Sequence, residues 1–234
     1  CLNIAFRLVV PPVCTPKPRK SGRKRAIQCW QPSLNTIMII ADRFLWLHLP
    51  KTGGTSMNRL FRDRLDDGVR VDPDDTPAKH DSVAFREQKS SWKAGDRRRF
   101  ITYRPLEAWL ISDWRHKCRH LNQADLDFTP VRSGLFYSLR LGGIWVTADW
   151  WLQYFEVTSA VTPLRLSHMN EDLNQHILPL LSPGTEAFEM LPRENAAAQK
   201  SAPTNLFSPE DRLRIAANNP RWTSWDQNIQ TNSR

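Results

Sequence analysis

Residues 47–57 read LHLPKTGGTSM and continue directly from the apolar run FLWL at 44–47. Residues 43–49, RFLWLHL, therefore read as a buried first strand that stops at a proline and two glycines. Downstream, Met57, Leu60, Phe61 and Leu65 recur at helical spacing, so a helix is expected over about residues 55–65. A turn between such a strand and such a helix is a natural anion site. The first N–H groups of the helix lack partners, and the helix dipole adds positive potential. Gly53 and Gly54 let the backbone approach a ligand closely. Lys51 brings a mobile charge, and Thr52, Thr55 and Ser56 bring hydroxyls. The ATP-type loop places its lysine after the last glycine, as G-x-x-x-x-G-K-[ST]. Here the lysine precedes the glycines and the opening glycine is absent. On this segment alone a plain Gly-rich connection with a surface lysine stays open.

Working outward, RFITYR at 99–104 is a second strong strand, followed by a helix over about 106–118. Gly142 and Gly143 mark a break, after which Thr147 is placed to cap the aromatic helix ADWWLQYF. A short strand is expected at 164–167. Asn170 is then read as the cap of a helix carrying Leu173 and Ile177 on one face and interrupted by Pro179. Ser208-Pro209-Glu210-Asp211 starts a late helix: cap, proline at the first position, acids in the first turn. Repeated strand–turn–helix units predict an α/β fold of three layers, P-loop-like, with a mainly parallel central sheet flanked by helices. No internal repeat is present.

The chain's 234 residues suit one sizeable domain, and 40% apolar residues with ten tryptophans argue for a packed core. The net charge of +9 is unevenly placed. Seven of the 33 basic residues and none of the 24 acids fall within residues 1–37, leaving 26 bases against 24 acids in 38–234. The basicity therefore belongs to a Pro-rich N-terminal extension, expected to be irregular, ahead of a nearly neutral domain. Met38 is the first methionine, and a natural start there is one reading of the extension. No apolar run reaches the roughly 20 residues of a membrane span. Of four cysteines only Cys118 lies beyond the extension, so nothing points to an oxidising compartment, and a cytoplasmic location is expected.

The segment H-L-P-K-T-G-G-T-S resembles the 5′-phosphosulfate-binding loop of the sulfotransferases, above all the carbohydrate type that opens His-x-Pro-Lys-Thr. Those enzymes use 3′-phosphoadenosine 5′-phosphosulfate (PAPS) as donor. The resemblance implies that Lys51, Thr52, Gly53, Gly54, Thr55 and Ser56 surround the donor's 5′ end. It also implies a second anchor, an arginine ending a strand and a serine eight residues on, which together hold the 3′-phosphate. FITYRPLEAWLIS supplies Arg104 and Ser112 at that separation. Pro105 follows Arg104 without the family's intervening Asp or Asn, Trp109 stands where a second arginine is common, and Trp114 replaces a common tyrosine. Fainter likenesses are Asn170-Glu171-Asp172-Leu173, taken as structural capping, and Pro192-Arg193-Glu194-Asn195.

The function so implied is transfer of a sulfuryl group from PAPS to a hydroxyl or amine of an acceptor, expected to be a carbohydrate or glycolipid. The family needs no metal, and none is expected. Lys51 would stabilise charge on the leaving oxygen. His80, in KHDSVAFRE, is the favoured general base, with Asp81 second and Glu87 third. His48 reads as structural. His116 and His120, with Arg115, Lys117 and Arg119, read as a solvated basic face able to receive an acidic acceptor. Trp150, Trp151, Tyr154 and Phe155 have helical spacing and read as core rather than sugar platform. Acceptor loops are expected within 66–97 and 120–146. Two rival classes stand beside this reading: an ATP-dependent P-loop transferase or kinase, and a basic nucleic-acid-binding protein acting through residues 17–25. A non-catalytic relative is a third. No specific nucleic-acid partner is expected.

Overall fold

The structure is a computed structural model describing residues 38–63, 68–71, 80–189 and 206–231, all within one compact unit, Pro32–Arg234. The expected extension over 1–37 and the Pro192–Asn195 segment lie outside the described residues.

Among the described residues, seven strands and eight α-helices follow in chain order: β1 (Ile39–Ile40), β2 (Phe44–Leu47), α1 (Gly54–Asp63), β3 (Arg70–Val71), α2 (Val83–Lys89), β4 (Arg98–Tyr103), α3 (Leu106–Leu121), α4 (Thr129–Arg132), β5 (Leu135–Leu141), β6 (Ile144–Thr147), α5 (Ala148–Tyr154), β7 (Val161–Arg165), α6 (Met169–Asp172), α7 (Pro209–Asn218) and α8 (Pro220–Thr231). Five strands form one sheet in the order β3-β1-β2-β4-β7. β2, β4 and β7 run parallel, while β1 is antiparallel to both of its neighbours. Four of the five strands therefore point the same way, and the sheet is mainly parallel. β5 and β6 make a separate antiparallel hairpin.

Alternation along β2 explains its unbroken apolar spelling. Leu45 and Leu47 enter one core cluster with Ile101, Trp109, Trp151 and Trp222, whereas Phe44 and Trp46 enter another with Met57, Phe61, Phe100 and Leu173. Helices α3, α5, α7 and α8 feed the first cluster, and α1 and α6 feed the second. Both faces of the sheet are thus covered by helices, as a parallel sheet requires. Trp46 Nε1 donates to Thr102 Oγ1 at 2.9 Å, satisfying a polar pair buried between β2 and β4.

Local signals account for most boundaries. β4 ends at Tyr103, just before Arg104-Pro105, where the residue ahead of a proline is biased out of the helical region. α3 stops at Asn122, whose left-handed φ of 53° returns its N–H to Cys118 and Arg119 carbonyls. Thr147 caps α5 by accepting from Trp150 N, and Ser208 with Asp211 forms a reciprocal capping box on α7. Asn170 departs from its expected role. The helix begins at Met169, runs through a π turn at Leu173–Ile177 into a 3-10 turn, and Asn170 donates instead to the Glu189 carbonyl at 2.8 Å. The strand expected at 164–167 is β7, lying earlier, at Val161–Arg165. Among the described residues no helix is long and apolar enough to cross a membrane.

Candidate functional site

The carboxyl ends of β2, β4 and β7 lie side by side, since Leu47 pairs with Ile101 and Tyr103 with Arg165. Ligands of open parallel sheets bind outside this edge. Here it carries the loop 48–53, Arg104 with Pro105, and Leu166.

The loop is held from three directions. Thr52 is fully buried, and its hydroxyl donates to Leu49 O at 2.7 Å, so toward a ligand it offers backbone rather than side chain. Trp109 Nε1, from α3, donates to Pro50 O at 2.6 Å. Arg104 Nη1 donates to Lys51 O at 3.3 Å. Between these anchors Lys51 adopts φ 65°, a left-handed conformation costly for a residue with a Cβ. Gly53 follows at φ 84°, where an added Cβ would fall 2.9 Å from Leu166 Cδ1. Gly54 opens α1 and has a different constraint: a Cβ there would fall 1.6 Å from His48 Nε2. The buried His48 ring thus occupies the space a Gly54 side chain would need, and its centroid lies 5.1 Å from that of Trp46. That contact explains the pairing of His48 with a double glycine and gives His48 the structural role expected of it. Thr55 is exposed, and Ser56 is buried in the first turn of α1.

Arg104 is half-buried, and its pKa is lowered by burial and then by the neighbouring Arg115. Lys51, Arg104 and Arg115 therefore concentrate positive charge at one sheet edge. Ser112 stands half-buried on α3, eight residues beyond Arg104. Next to it, Asp113 is fully buried, with Oδ2 accepting from Ser138 N at 2.9 Å and Oδ1 without a hydrogen-bond partner. Burial pushes the Asp113 carboxyl up, while the Ser138 hydrogen bonds and the charge of Lys51 oppose that rise.

His80 Nδ1 lies 2.9 Å from His48 O. A carbonyl can only accept, so Nδ1 carries a proton there, and in the neutral tautomer the lone pair lies on Nε2. The ring packs edge-on to His48 at 4.8 Å and to Trp151 at 6.1 Å. Asp81 is buried, with Lys89 Nζ at 3.7 Å, and Glu87 accepts from Ala94 N at 2.9 Å in a local loop closure. The Tyr154 hydroxyl faces Ser82 and is pushed up to about 12 by burial, with Asp81 adding to the rise. Trp151 and Phe155 are buried in the core, while Trp150 and Tyr154 stack on each other at 5.0 Å, half-buried. His116 and His120 are exposed on α3, 6.3 Å apart. Asp172 lies in the segment expected to cap, and it binds the Arg165 backbone N–H and guanidinium instead.

Sequence reasoning passed over Trp109 as a loop support and Asp113 altogether. The signal was an acid on the apolar α3 face formed by Leu106, Trp109 and Leu110. Among the described residues no group of three His, Cys, Asp or Glu is placed to hold a metal ion. No family model, curated protein or solved structure matches the chain, so the reading of this edge rests on its own residues.

Proposed function

We propose that the chain is a PAPS-dependent sulfotransferase, acting on a hydroxyl or amine of an acceptor of the carbohydrate or glycolipid class. The observation that carries this reading is the 3.3 Å contact of Arg104 Nη1 with Lys51 O. It joins the two segments, 53 residues apart in sequence, that a nucleotide phosphorylated at both 3′ and 5′ positions would need at once. The fold that accompanies the reading is P-loop-like, with the donor outside the carboxyl ends of the parallel strands.

In this reading the backbone N–H groups of 52–56 and the α1 N-terminus receive the 5′-phosphate, and Arg104 with Ser112 receives the 3′-phosphate. Lys51 stabilises the charge that develops on the phosphate oxygen as its bond to sulfur breaks. The new bond forms between sulfur and the acceptor oxygen, whose proton passes to His80 Nε2. The products are adenosine 3′,5′-bisphosphate and the sulfated acceptor. Trp109 does for the loop what a charged residue cannot do in a buried position: it ties Pro50 without adding charge.

The test begins with calorimetric titration of adenosine 3′,5′-bisphosphate into magnesium-free protein. Saturable binding that ATP does not displace is expected; equal affinity for ATP favours the kinase reading, and no binding overturns the proposal. An acceptor screen with labelled PAPS follows, in which His80→Ala should lower turnover by about 10²–10⁴-fold.

A further inference from the structure

The β5–β6 hairpin ends in two aliphatic side chains and offers both to solvent. Leu141 and Ile144 are cross-strand partners flanking the turn Gly142-Gly143, and they are 47% and 75% exposed. Both glycines take positive φ, 58° and 85°, as a tight hairpin turn matched to strand twist requires. A Cβ added to either would meet nothing within 4 Å, so the turn projects from the body. Just behind it the hairpin is braced. Trp145 packs on Tyr137 at 5.8 Å, its Nε1 donates to Tyr137 O at 3.1 Å, and Arg140 Cζ lies 3.7 Å from its ring centroid. An aliphatic tip thus stands on a collar of Trp, Tyr and Arg.

Helix α3 adds charge beside it. α3 and β5 run in the same direction, since Trp109 stacks on Phe136 at 4.6 Å and Asp113, one turn on, accepts from Ser138 N at 2.9 Å. That face of the helix continues through Lys117 to Leu121, which is 45% exposed. Leu121, Leu141 and Ile144 are three of the four large apolar side chains exposed among the described residues, and they end two adjoining elements. Residues 114–124 and 128–148 contain five Lys/Arg and no acid. Arg132 is paired with Asp211, and Arg115, Lys117, Arg119 and Arg140 supply the charge here. The intervening Asp125 and Asp127 flank Leu126, whose carbonyl accepts from Trp114 Nε1 at 3.2 Å, two turns back from the end of α3.

We propose that this hairpin tip docks on an anionic lipid surface. Leu141 and Ile144 enter the acyl boundary, Trp145 and Tyr137 lie at headgroup level, and Arg140 with the basic end of α3 meets lipid phosphates. This surface role lies beyond the sulfuryl-transfer reading and stands without it. Charge and area select the occupant. A second copy seated tip to tip would bring the same cations together. A few aliphatic side chains also fall well short of the roughly 1,200 Å² that a specific protein interface buries. A nucleic acid would match the cations and gain nothing from the aliphatic tip.

The test is co-sedimentation of the full chain with vesicles of phosphatidylcholine, alone or in equal mixture with phosphatidylglycerol. Salt-sensitive binding to the mixed vesicles is expected, with little to phosphatidylcholine alone. The extension over 1–37 carries seven basic residues of its own, so the decisive variants lie at the tip. Ile144→Asp should weaken binding about tenfold and Arg140→Gln about fivefold, while Ile144→Trp should strengthen it. If Ile144→Asp lowers the melting temperature, the gain with Ile144→Trp carries the test. Vesicle binding that neither Ile144 variant moves overturns the proposal and assigns the binding to charge alone. Absence of binding to the mixed vesicles overturns it outright. Self-association in sedimentation velocity that Ile144→Asp abolishes also overturns it, in favour of a second copy of this chain.

Discussion

Asn219 and Asp113 are both polar, both without exposed surface, and built in opposite ways. Asn219 uses everything it has. Its Oδ1 accepts from Ala148 N at 2.6 Å and Asp149 N at 3.2 Å, and its Nδ2 donates to Gly134 O at 3.0 Å and Ile215 O at 2.9 Å. Three segments meet on one amide, and Asp149 completes the joint by accepting from Arg221 N and Trp222 N at the start of α8. Asp113 accepts from Ser138 N through Oδ2 and leaves Oδ1 without a hydrogen-bond partner, within the electrostatic reach of Lys51. The difference teaches how to sort buried polar groups. Full satisfaction marks a staple, and spare capacity beside displaced charge marks a place where something else must arrive.

The comparison breaks most visibly at the staple. Asn219→Ala strips four hydrogen bonds from a buried joint and leaves backbone groups of α5 and the turn before β5 without partners. A loss of about 4 kcal/mol is expected, since each such group costs roughly 1–3 kcal/mol and some relaxation follows. Urea unfolding measures it; a loss under about 1 kcal/mol would mean that the junction is reached by water.

Next in size is the glycine under His48. Gly54→Ala drives a Cβ into the ring, with 1.6 Å to Nε2, so either the ring or the α1 start must move. A destabilisation of about 2–3 kcal/mol is expected, typical of overpacking a tight site. The sharper form adds His48→Ala. With the ring gone the new methyl has room, and the double variant should be more stable than the sum of the two singles by at least about 1 kcal/mol. Strict additivity would show that Gly54 is required for a reason other than the imidazole.

A third test concerns a carboxylate between the two extremes. Asp226, on α8, accepts from Leu106 N at 3.1 Å and so caps α3 from another helix, because Pro105 provides no side-chain cap. Burial pushes its pKa up to about 6, against the opposing hydrogen bond from Leu106 N. The folded state then holds this proton more tightly than the unfolded chain does. Stability from this group is complete below about pH 4 and declines as pH rises toward 6. Asp226→Asn keeps an acceptor for Leu106 N and removes the titration. It should flatten that decline and raise stability at pH 7 by on the order of 2 kcal/mol. Thermal melts at pH 4 and pH 7 read both; a variant less stable at pH 7 would show the charge to be favourable at the helix start.

These particulars also show what the amino-acid order revealed. β2, β4, α1, α3 and the α5 and α7 caps were legible because each carries a local signal: an apolar run, a proline, a glycine pair or a capping hydroxyl. β1 and β3 are two residues each and exist only through partners, so no local pattern announces them. The β5–β6 hairpin was visible only as its Gly-Gly turn. At the site, Lys51 was named from the glycine turn and Arg104 from the family resemblance, and their contact is a tertiary fact. Trp109 was noted as a departure from a family pattern, and its indole proves to hold the loop. Asp113 was missed because burial of one acid among leucines depends on which face α3 turns inward.

The smallest expected effect tests whether distance or burial decides the comparison. Arg212 Nε donates to Glu107 Oε1 at 3.0 Å, linking α7 to α3, and the two side chains remain 46% and 41% exposed. The length equals that of the Asn219 Nδ2 bond to Gly134 O. Water competes for both groups of the ion pair, salt screens their attraction, and two long side chains lose freedom to meet. Arg212→Ala should therefore cost less than about 0.5 kcal/mol and still less in high salt. Two contacts of one length would then differ in worth by severalfold, with access to solvent, charge screening and the number of bonds each residue makes separating them. A cost near that of Asn219→Ala would make geometry, rather than burial, the quantity that ranks polar contacts in this fold.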